Sequence, residues 1–336
     1  MKKVYVTLIL WFLVLAGKAQ QISILFVNDN AVYAPNTDTM LYTLQHTGFA
    51  FDVFDAVAQG RSPEYNELKD YALVLWYTST DGVGLYFWNG TDEDNPHIIT
   101  YLNSGRKLVV MGNDFLYDRY ATPTTFAPGD FVYDYLGTQV YYAQSYGDDG
   151  GQGVPRLDLV DGQSIATLNP VQWIYPTLWW VDACLPVPGA QPVYQMGPPS
   201  YVLADYYSAI YYHPAYFGTL SLFFDPALID TYAHRLLLLS DIINYFQNMV
   251  GIHNEASATT DLNIWPSPAS TLLHISLKQN KASRILISNS TGQVVKQIQT
   301  RGNEEEIKLD VSEFLPGIYN ATLWPGAQSR KFIIVR

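Results

Sequence analysis

From Ile22 onward the chain alternates unbroken apolar runs with stretches of helical period. The first run, ISILFVND, stays apolar until it meets Asn28 and Asp29, which is how a strand buried on both faces reads. A helical stretch over Thr37–His46 follows, with Gly48 as its stop, and then a second strand, FAFDVFDA. The Pro-started segment SPEYNELKDY leads to a third strand, ALVLWYTS. A helix near Pro96–Asn103, stopped by Gly105, leads to a fourth, KLVVMGND, which ends at Asn113 and Asp114. This order predicts an α/β fold with a doubly wound parallel sheet, because right-handed crossovers lay the helices on its two faces.

Between about Thr138 and Tyr216 the composition shifts to Gly, Pro, Tyr and Trp, with short β-prone pieces such as YPTLWWVDA, PVYQMG and YSAIYY. A β-rich insertion built of hairpins is expected there. YFGTLSLFF then returns as a buried strand. Leu236, Leu237, Leu239, Ile242, Ile243 and Phe246 recur at helical spacing within Pro226–Met249, a helix that should close the first domain over residues 21–250. Residues 251–261, GIHNEASATTD, are small and polar without an apolar period and read as a linker. In residues 262–336 the runs LLHISL, RILISN, GQVVKQIQ, EIKLDV, GIYNATLW and KFIIVR are separated by turn residues, which predicts a small antiparallel β-sandwich of immunoglobulin-like kind.

Residues 1–19 open with Lys2 and Lys3, continue through apolar Val4–Leu15 and end with Gly17 and Ala19 at small-residue cleavage positions, the layout of a secretory signal peptide. Its apolar core is shorter than the ~20 residues a spanning helix needs, and no later run is longer, so no membrane span is expected after cleavage. The net charge is -12, and loss of three lysines and no acid with residues 1–19 takes it to -15. Such a field repels nucleic acid, and no basic run interleaved with aromatics offsets it. Cys184 is the single cysteine, so no intramolecular disulfide can form and packing must hold the chain, to which 26 Tyr, 15 Phe and 8 Trp contribute.

The second domain carries, in order, WPSPAS at 265–270, LHI at 273–275, ILISNSTGQVV at 285–295, LDVSEFLPGIYNATL at 309–323 and the terminal KFIIVR. Together these resemble the type A C-terminal sorting domain of the type IX secretion system, over residues 262–336. The motif positions are Pro266, Pro268, Gly292, Gly317, Tyr319 and Lys331. The prolines shape the entry turn, the glycines suit tight reversals, Tyr319 is expected in the core and Lys331 opens the final Lys-Phe step. Ser267 stands where the family usually has Asn. The resemblance implies handling by the type IX machinery of a Bacteroidetes-type bacterium, with the product secreted or held at the cell surface.

Residues 21–250 resemble the class I glutamine-amidotransferase-like, flavodoxin-like modules of secreted Bacteroidetes proteins. The resemblance rests on ILFVND, FDVFDA, YALVLWYTS, YLNSGRKLVVMGND, YFGTLSLFFDPALI and RLLLLSDIINYF. Active members place a nucleophilic Cys in a Gly-x-Cys-x-Gly turn just after the strand that here reads LVVMGND. Gly112, Asn113 and Asp114 stand at that place, so the resemblance implies a module without this nucleophile, and no catalytic residue is carried over from it.

Other chemistry is sparse. Cys184 lies within WWVDACLPV, where a buried apolar role is expected. No Gly-x-Ser-x-Gly, Walker loop or dinucleotide glycine signature occurs. The six histidines lack metal-ligand spacing, and neither TDEDN nor Asp148-Asp149 has the register of a calcium loop, so neither metal nor cofactor is expected. In a doubly wound sheet, ligands gather at the carboxyl ends of the strands. This singles out Asp29 and Asn30 after the first strand, Thr78 and Ser79 after the third, and Asn113 and Asp114 after the fourth as candidate ligand-binding residues. Such groups suit a hydroxyl-rich ligand, with the aromatics of residues 133–216 stacking on sugar faces; capping helices and shaping turns is the alternative use of the same side chains. The expectation is an exported, non-catalytic module that binds glycan or a surface protein. A secreted hydrolase using acids such as Asp29 and Asp114 is the alternative.

Overall fold

The computed structural model describes residues 21–88, 90, 93–214, 216–250, 262–277, 284–289, 294–300, 306–324 and 329–335. The expected signal peptide, the linker at 251–261 and Gly292 lie outside them. The first domain opens with β1 (Ile24–Asn28), α1 (Ala34–Gln45), β2 (Phe51–Asp55), α2 (Ala56–Gln59), α3 (Tyr65–Leu68) and β3 (Leu73–Ser79). It continues with α4 (Pro96–Asn103), β4 (Lys107–Gly112), β5 (Thr124–Thr125), α5 (Phe131–Asp134), β6 (Thr138–Gln144) and β7 (Arg156–Leu159). It closes with β8 (Asp182–Pro186), β9 (Gln191–Gly197), β10 (Tyr207–Tyr212), β11 (Gly218–Leu222) and α6 (Tyr232–Val250).

The strands form one mixed sheet in the order β2-β1-β3-β4-β11-β10-β8-β6-β5, with β9 on β10 and β7 on β9. β2, β1, β3, β4 and β11 run parallel, and β3, β4 and β11 are buried along their whole length, as their continuous apolar runs require. Ile24 and Phe26 face a core that also holds Met40, Leu44, Leu239, Ile242 and Phe246 from α1 and α6. The alternate residues Leu25 and Val27 face a second core with Ala56, Leu68, Ile98 and Leu102 from α2, α3 and α4. Helices therefore cover both faces of the parallel half. The aromatic-rich stretch does not stand apart as hairpins on the domain. Its strands extend the main sheet, because β10 returns antiparallel on β11 and offers its other edge to β8 and β9.

The second domain comprises β12 (Leu262–Trp265), β13 (Leu272–Leu277), β14 (Arg284–Asn289), β15 (Val294–Gln299), β16 (Glu306–Asp310), β17 (Gly317–Trp324) and β18 (Ser329–Ile334). They pair as β12-β13-β16 and β15-β14-β17-β18, a β-sandwich filled by Leu273, Ile275, Ile285, Ile287, Ala321, Leu323 and Phe332 among others. Tyr319 stacks on Phe332 with ring centroids 5.7 Å apart and donates its hydroxyl to Leu315 O at 2.7 Å. The Pro266–Pro268 turn delivers Ala269 to the last strand, where Ala269 N donates to Ile333 O at 2.8 Å and Val335 N donates to Ala269 O at 2.9 Å. Gly317 opens β17, and Lys331 is exposed on β18 opposite Asn320. No helix among the described residues is long and apolar enough to cross a membrane.

The sandwich rests on the first domain. Leu286 joins the core of α2, α3 and α4, with Val294 packed beside it, and the Arg284 guanidinium forms an ion pair with Asp134 in which both residues are buried. Asp134 is also held by Gly129 N at 3.0 Å. Removing one partner of such a pair strands a charge in the core. Asp134→Ala should therefore lower the stability of the full chain by roughly 3 kcal/mol in urea unfolding, and Asp134→Leu combined with Arg284→Met should recover much of the loss.

Candidate functional site

The carboxyl ends of β1, β3, β4 and β11 meet a wall of aromatic residues from the loop before β8. Asn30 shapes the exit from β1: its carbonyl accepts from Val32 N and Tyr33 N, and its amide donates to Tyr33 O and Thr37 Oγ1, both at 2.8 Å. Asp29 is buried, accepting Tyr86 N at 3.1 Å, Phe87 N at 2.9 Å and Trp76 Nε1 at 2.9 Å. Burial pushes its carboxyl up to about 7, against the three N–H donors that pull it down. Thr78 is wholly buried and donates to Met111 O, while Ser79, also buried, donates to Asp225 Oδ2 at 3.1 Å. Asn113 bridges two loops, accepting Asp225 N at 2.8 Å and donating to Trp179 O at 3.0 Å. These side chains tie the strand ends together.

Asp114 is placed differently. It sits at φ 56, just past β4, with its N–H given to Trp180 O at 2.9 Å. Gln144 donates its amide to Asp114 Oδ1 and reaches Asp182 Oδ1 at 3.4 Å. Asp182 faces Gln144 across the β6–β8 pairing and takes Leu116 N at 3.0 Å. Two carboxyls thus share one amide in a buried setting. Burial pushes Asp182 up to about 7 and Asp114 up to about 8, the nearby Asp182 and Asp81 carboxyls adding to the rise at Asp114.

Asp114 lines a groove of about 520 Å³ with Val32, Tyr33, Thr80, Asp81, Val83, Tyr117, Gln144 and Trp180. A second hollow of about 530 Å³, lined by Asn113, Tyr175, Pro176, Thr177, Leu178, Trp179 and Leu228, shares Thr80 and Trp180 with it. Thr80 and Trp180 thus border both. Tyr33, Tyr117, Tyr175 and Trp179 are all about half exposed along their rims, at 52%, 56%, 56% and 46%. Trp179 is backed by Tyr146, with ring centroids 4.1 Å apart. Gly153, at φ +76, passes under it so closely that a Cβ there would meet Trp179 Cδ1 at 2.5 Å. Of the six residues singled out in the sequence, Asn113 and Asp114 line the two hollows. Thr80, Gln144, Trp179 and Trp180 lie beyond what strand-end reasoning reaches. A signal for Asp182 exists, since it is a lone acid inside the apolar run LWWVDACL.

Cys184 is wholly buried, and burial holds its thiol far up from the ordinary range. His213 lies at the opposite edge, near Lys107 and Gly218 at the amino ends of their strands. No group of three or more His, Cys, Asp or Glu among the described residues could hold a metal ion.

Two consequences follow from this geometry. Gly153→Ala places a side chain at a positive φ and against Trp179, so it should cost on the order of 1–3 kcal/mol and shift the tryptophan fluorescence of the folded protein. Asp29, Asp114 and Asp182 hold their protons to about 7, 8 and 7, whereas the ordinary value is 3.8. Between these limits the native state binds protons that the unfolded chain has released, so stability should fall as the pH rises from about 4 to 8. Asp182→Asn should flatten that slope in denaturation midpoints taken across the range.

Residues 263–336 match the family described as the secretion system C-terminal sorting domain. No curated protein matches the chain. Among solved structures the chain is similar to a ThuA-like protein from Bacteroides uniformis ATCC 8492, at 14% identity over 68% of this chain and 92% of that one, with a TM-score of 0.42. It is also similar to a β-galactosidase from the Antarctic haloarchaeon Halorubrum lacusprofundi, at 11% identity over 87% of this chain and 40% of that one, TM-score 0.37. A third likeness is to oxidised flavodoxin 1 from Bacillus cereus, at 15% identity over 28% and 60% of the two chains, TM-score 0.18. At these identities and scores the structural likenesses carry no argument about function. The sorting domain does carry one: residues 263–336 are the C-terminal signal of type IX secretion, and this chain is an exported protein handled by that machinery and destined for the cell surface.

Proposed function

We propose that the first domain of this exported chain binds carbohydrate in the two neighbouring hollows at the carboxyl edge of its sheet. The observation that carries the reading is the grouping of half-exposed Tyr33, Tyr117, Tyr175 and Trp179 around polar Thr80, Asp81, Asn113 and Asp114. Sugars present apolar C–H faces edged with hydroxyls. Aromatic rings stack on the faces, while carboxyl and amide groups take the hydroxyls. The strongly acidic chain disfavours anionic sugars, so the fitting ligand is a neutral glycan. The helices on both faces of the parallel half, and the place of Gly112, Asn113 and Asp114, support reading the domain as an amidotransferase-like, flavodoxin-type scaffold put to binding. The sandwich is read as the immunoglobulin-like form of the sorting domain.

The test is a glycan array followed by calorimetry with the secreted protein. Binding to a neutral oligosaccharide is expected, and Trp179→Ala should weaken it by about tenfold or more through loss of the stacking platform. A folded protein that binds no neutral glycan would refute the reading.

A further inference from the structure

The groove holds more than a binding surface needs. Asp114 is 8% exposed, and its Oδ1 is held by Gln144. No bond to its Oδ2 is made among the described residues, and Asp114 lines the cavity. Its backbone is fixed at both ends, through Trp180 O on its own N–H and through Asp118 N on its carbonyl at 3.1 Å. The carboxyl is therefore presented to the groove in one place. Asp81 lines the same groove from the loop after β3, and the chain there presses on Asp114: a Cβ on Gly82 would lie 2.4 Å from Asp114 O. One carboxyl is deeply buried and braced by an amide, and the other is half-buried at the rim. Unlike environments of this kind divide two acids between the roles of proton donor and proton acceptor.

We propose that this groove hydrolyses a glycosidic bond of the carbohydrate it holds, with Asp114 as the acid and Asp81 as the base; the proposal rests on the carbohydrate reading above. The Asp114 hydroxyl proton passes to the glycosidic oxygen as the bond from that oxygen to the anomeric carbon breaks, its electron pair staying on the oxygen. A water oxygen bonds to the anomeric carbon and its proton goes to the Asp81 carboxylate. Two free sugar ends result, and solvent returns the proton from Asp81 to Asp114. Water is the one co-reactant in the balance. Burial, with Asp182 and Asp81 nearby, pushes Asp114 up to about 8, so the donor keeps its proton at neutral pH.

The experiment measures binding and turnover separately on the secreted protein, with the oligosaccharide found on the array and with aryl glycosides of the same sugar. Asp114→Asn is expected to lose at least a hundredfold in turnover of the oligosaccharide, far more than it loses in binding. A dinitrophenyl glycoside, whose leaving group needs no proton, should restore its rate; Asp81→Asn should not be restored in this way. Binding by the wild type without any release of sugar, or Asp114→Asn turning over oligosaccharide at the wild-type rate, would overturn the catalytic proposal and leave the binding reading standing. Absence of binding would remove both. Should Asp114→Asn fail to fold, the wild type still decides: rates nearly independent of the aryl leaving group support a proton donor, and a steep dependence overturns it.

Discussion

The carboxyl edge of the sheet is assembled on one buried carboxylate, that of Asp225. It has no solvent exposure and accepts four donors, from Asn36 Nδ2 at 2.8 Å, Tyr77 Oη at 2.9 Å, Ser79 Oγ at 3.1 Å and Ala227 N at 2.8 Å. Its own N–H goes to Asn113 at 2.8 Å. Burial pushes this carboxyl up from its ordinary range, and the four donors work against that loss of water. Because the donors come from α1, β3 and the turn after β11, satisfying one carboxyl fixes the ends of three elements at once. The loops that carry Thr80, Asp81 and Asp114 leave from that fixed rim, and the groove inherits its shape from it.

The polar residues at the strand ends accordingly divide by what their neighbours leave unused. Asp29 and Asp114 both follow parallel strands, and their surroundings are opposite in kind. Trp76 and the N–H groups of Tyr86 and Phe87 occupy both oxygens of Asp29, which makes it a clamp for the loop over the α4 side of the sheet. Asp114 has one oxygen braced by an amide, no bond to the other among the described residues, and a place in the lining of the groove. Asn30, Thr78, Ser79 and Asn113 likewise spend their hydrogen-bonding capacity on turns and on crossing between loops. A ligand approaching this edge meets backbone-locked rims, the half-buried Asp81 carboxyl, the buried Asp114 behind it and aromatic faces.

The parallel half of the first domain was legible in the sequence for a physical reason. Strands buried on both faces cannot carry polar residues until they emerge, so ILFVN, LVLWYTS and KLVVMG announce both their state and the edge at which they end. The sorting sandwich was legible from its alternation and its turn residues. The antiparallel extension was less so, since short strands such as RLDL and DACLP are specified by the edge they pair with rather than by their own pattern. The candidate site shows the same limit. Asp114 could be read from the end of its strand, but Gln144 and Asp182 meet through the register of β6 with β8, and Trp179 and Trp180 reach the edge only because β8 lies where β10 places it. Nothing local in YAQSYG or LWWVDA records that meeting.

The turn at Asp114 shows how backbone geometry and chemistry are coupled here. β3 and β4 approach so closely at their ends that a Cβ on Gly112 would lie 2.0 Å from Thr78 Oγ1, and Ser79 and Asp114 both take positive φ values as the chain leaves the sheet. A short polar residue tolerates that region better than a branched or apolar one, since its side chain can bond nearby. The turn therefore favours a residue like Asp, and it sends that residue's carboxyl toward Gln144 and the groove. A scaffold that turns its chain this sharply beside a cavity presents whatever side chain stands there. In this chain the presented group is a carboxyl whose proton is held by burial, while the single thiol, Cys184, is sealed in the core and unable to take that part.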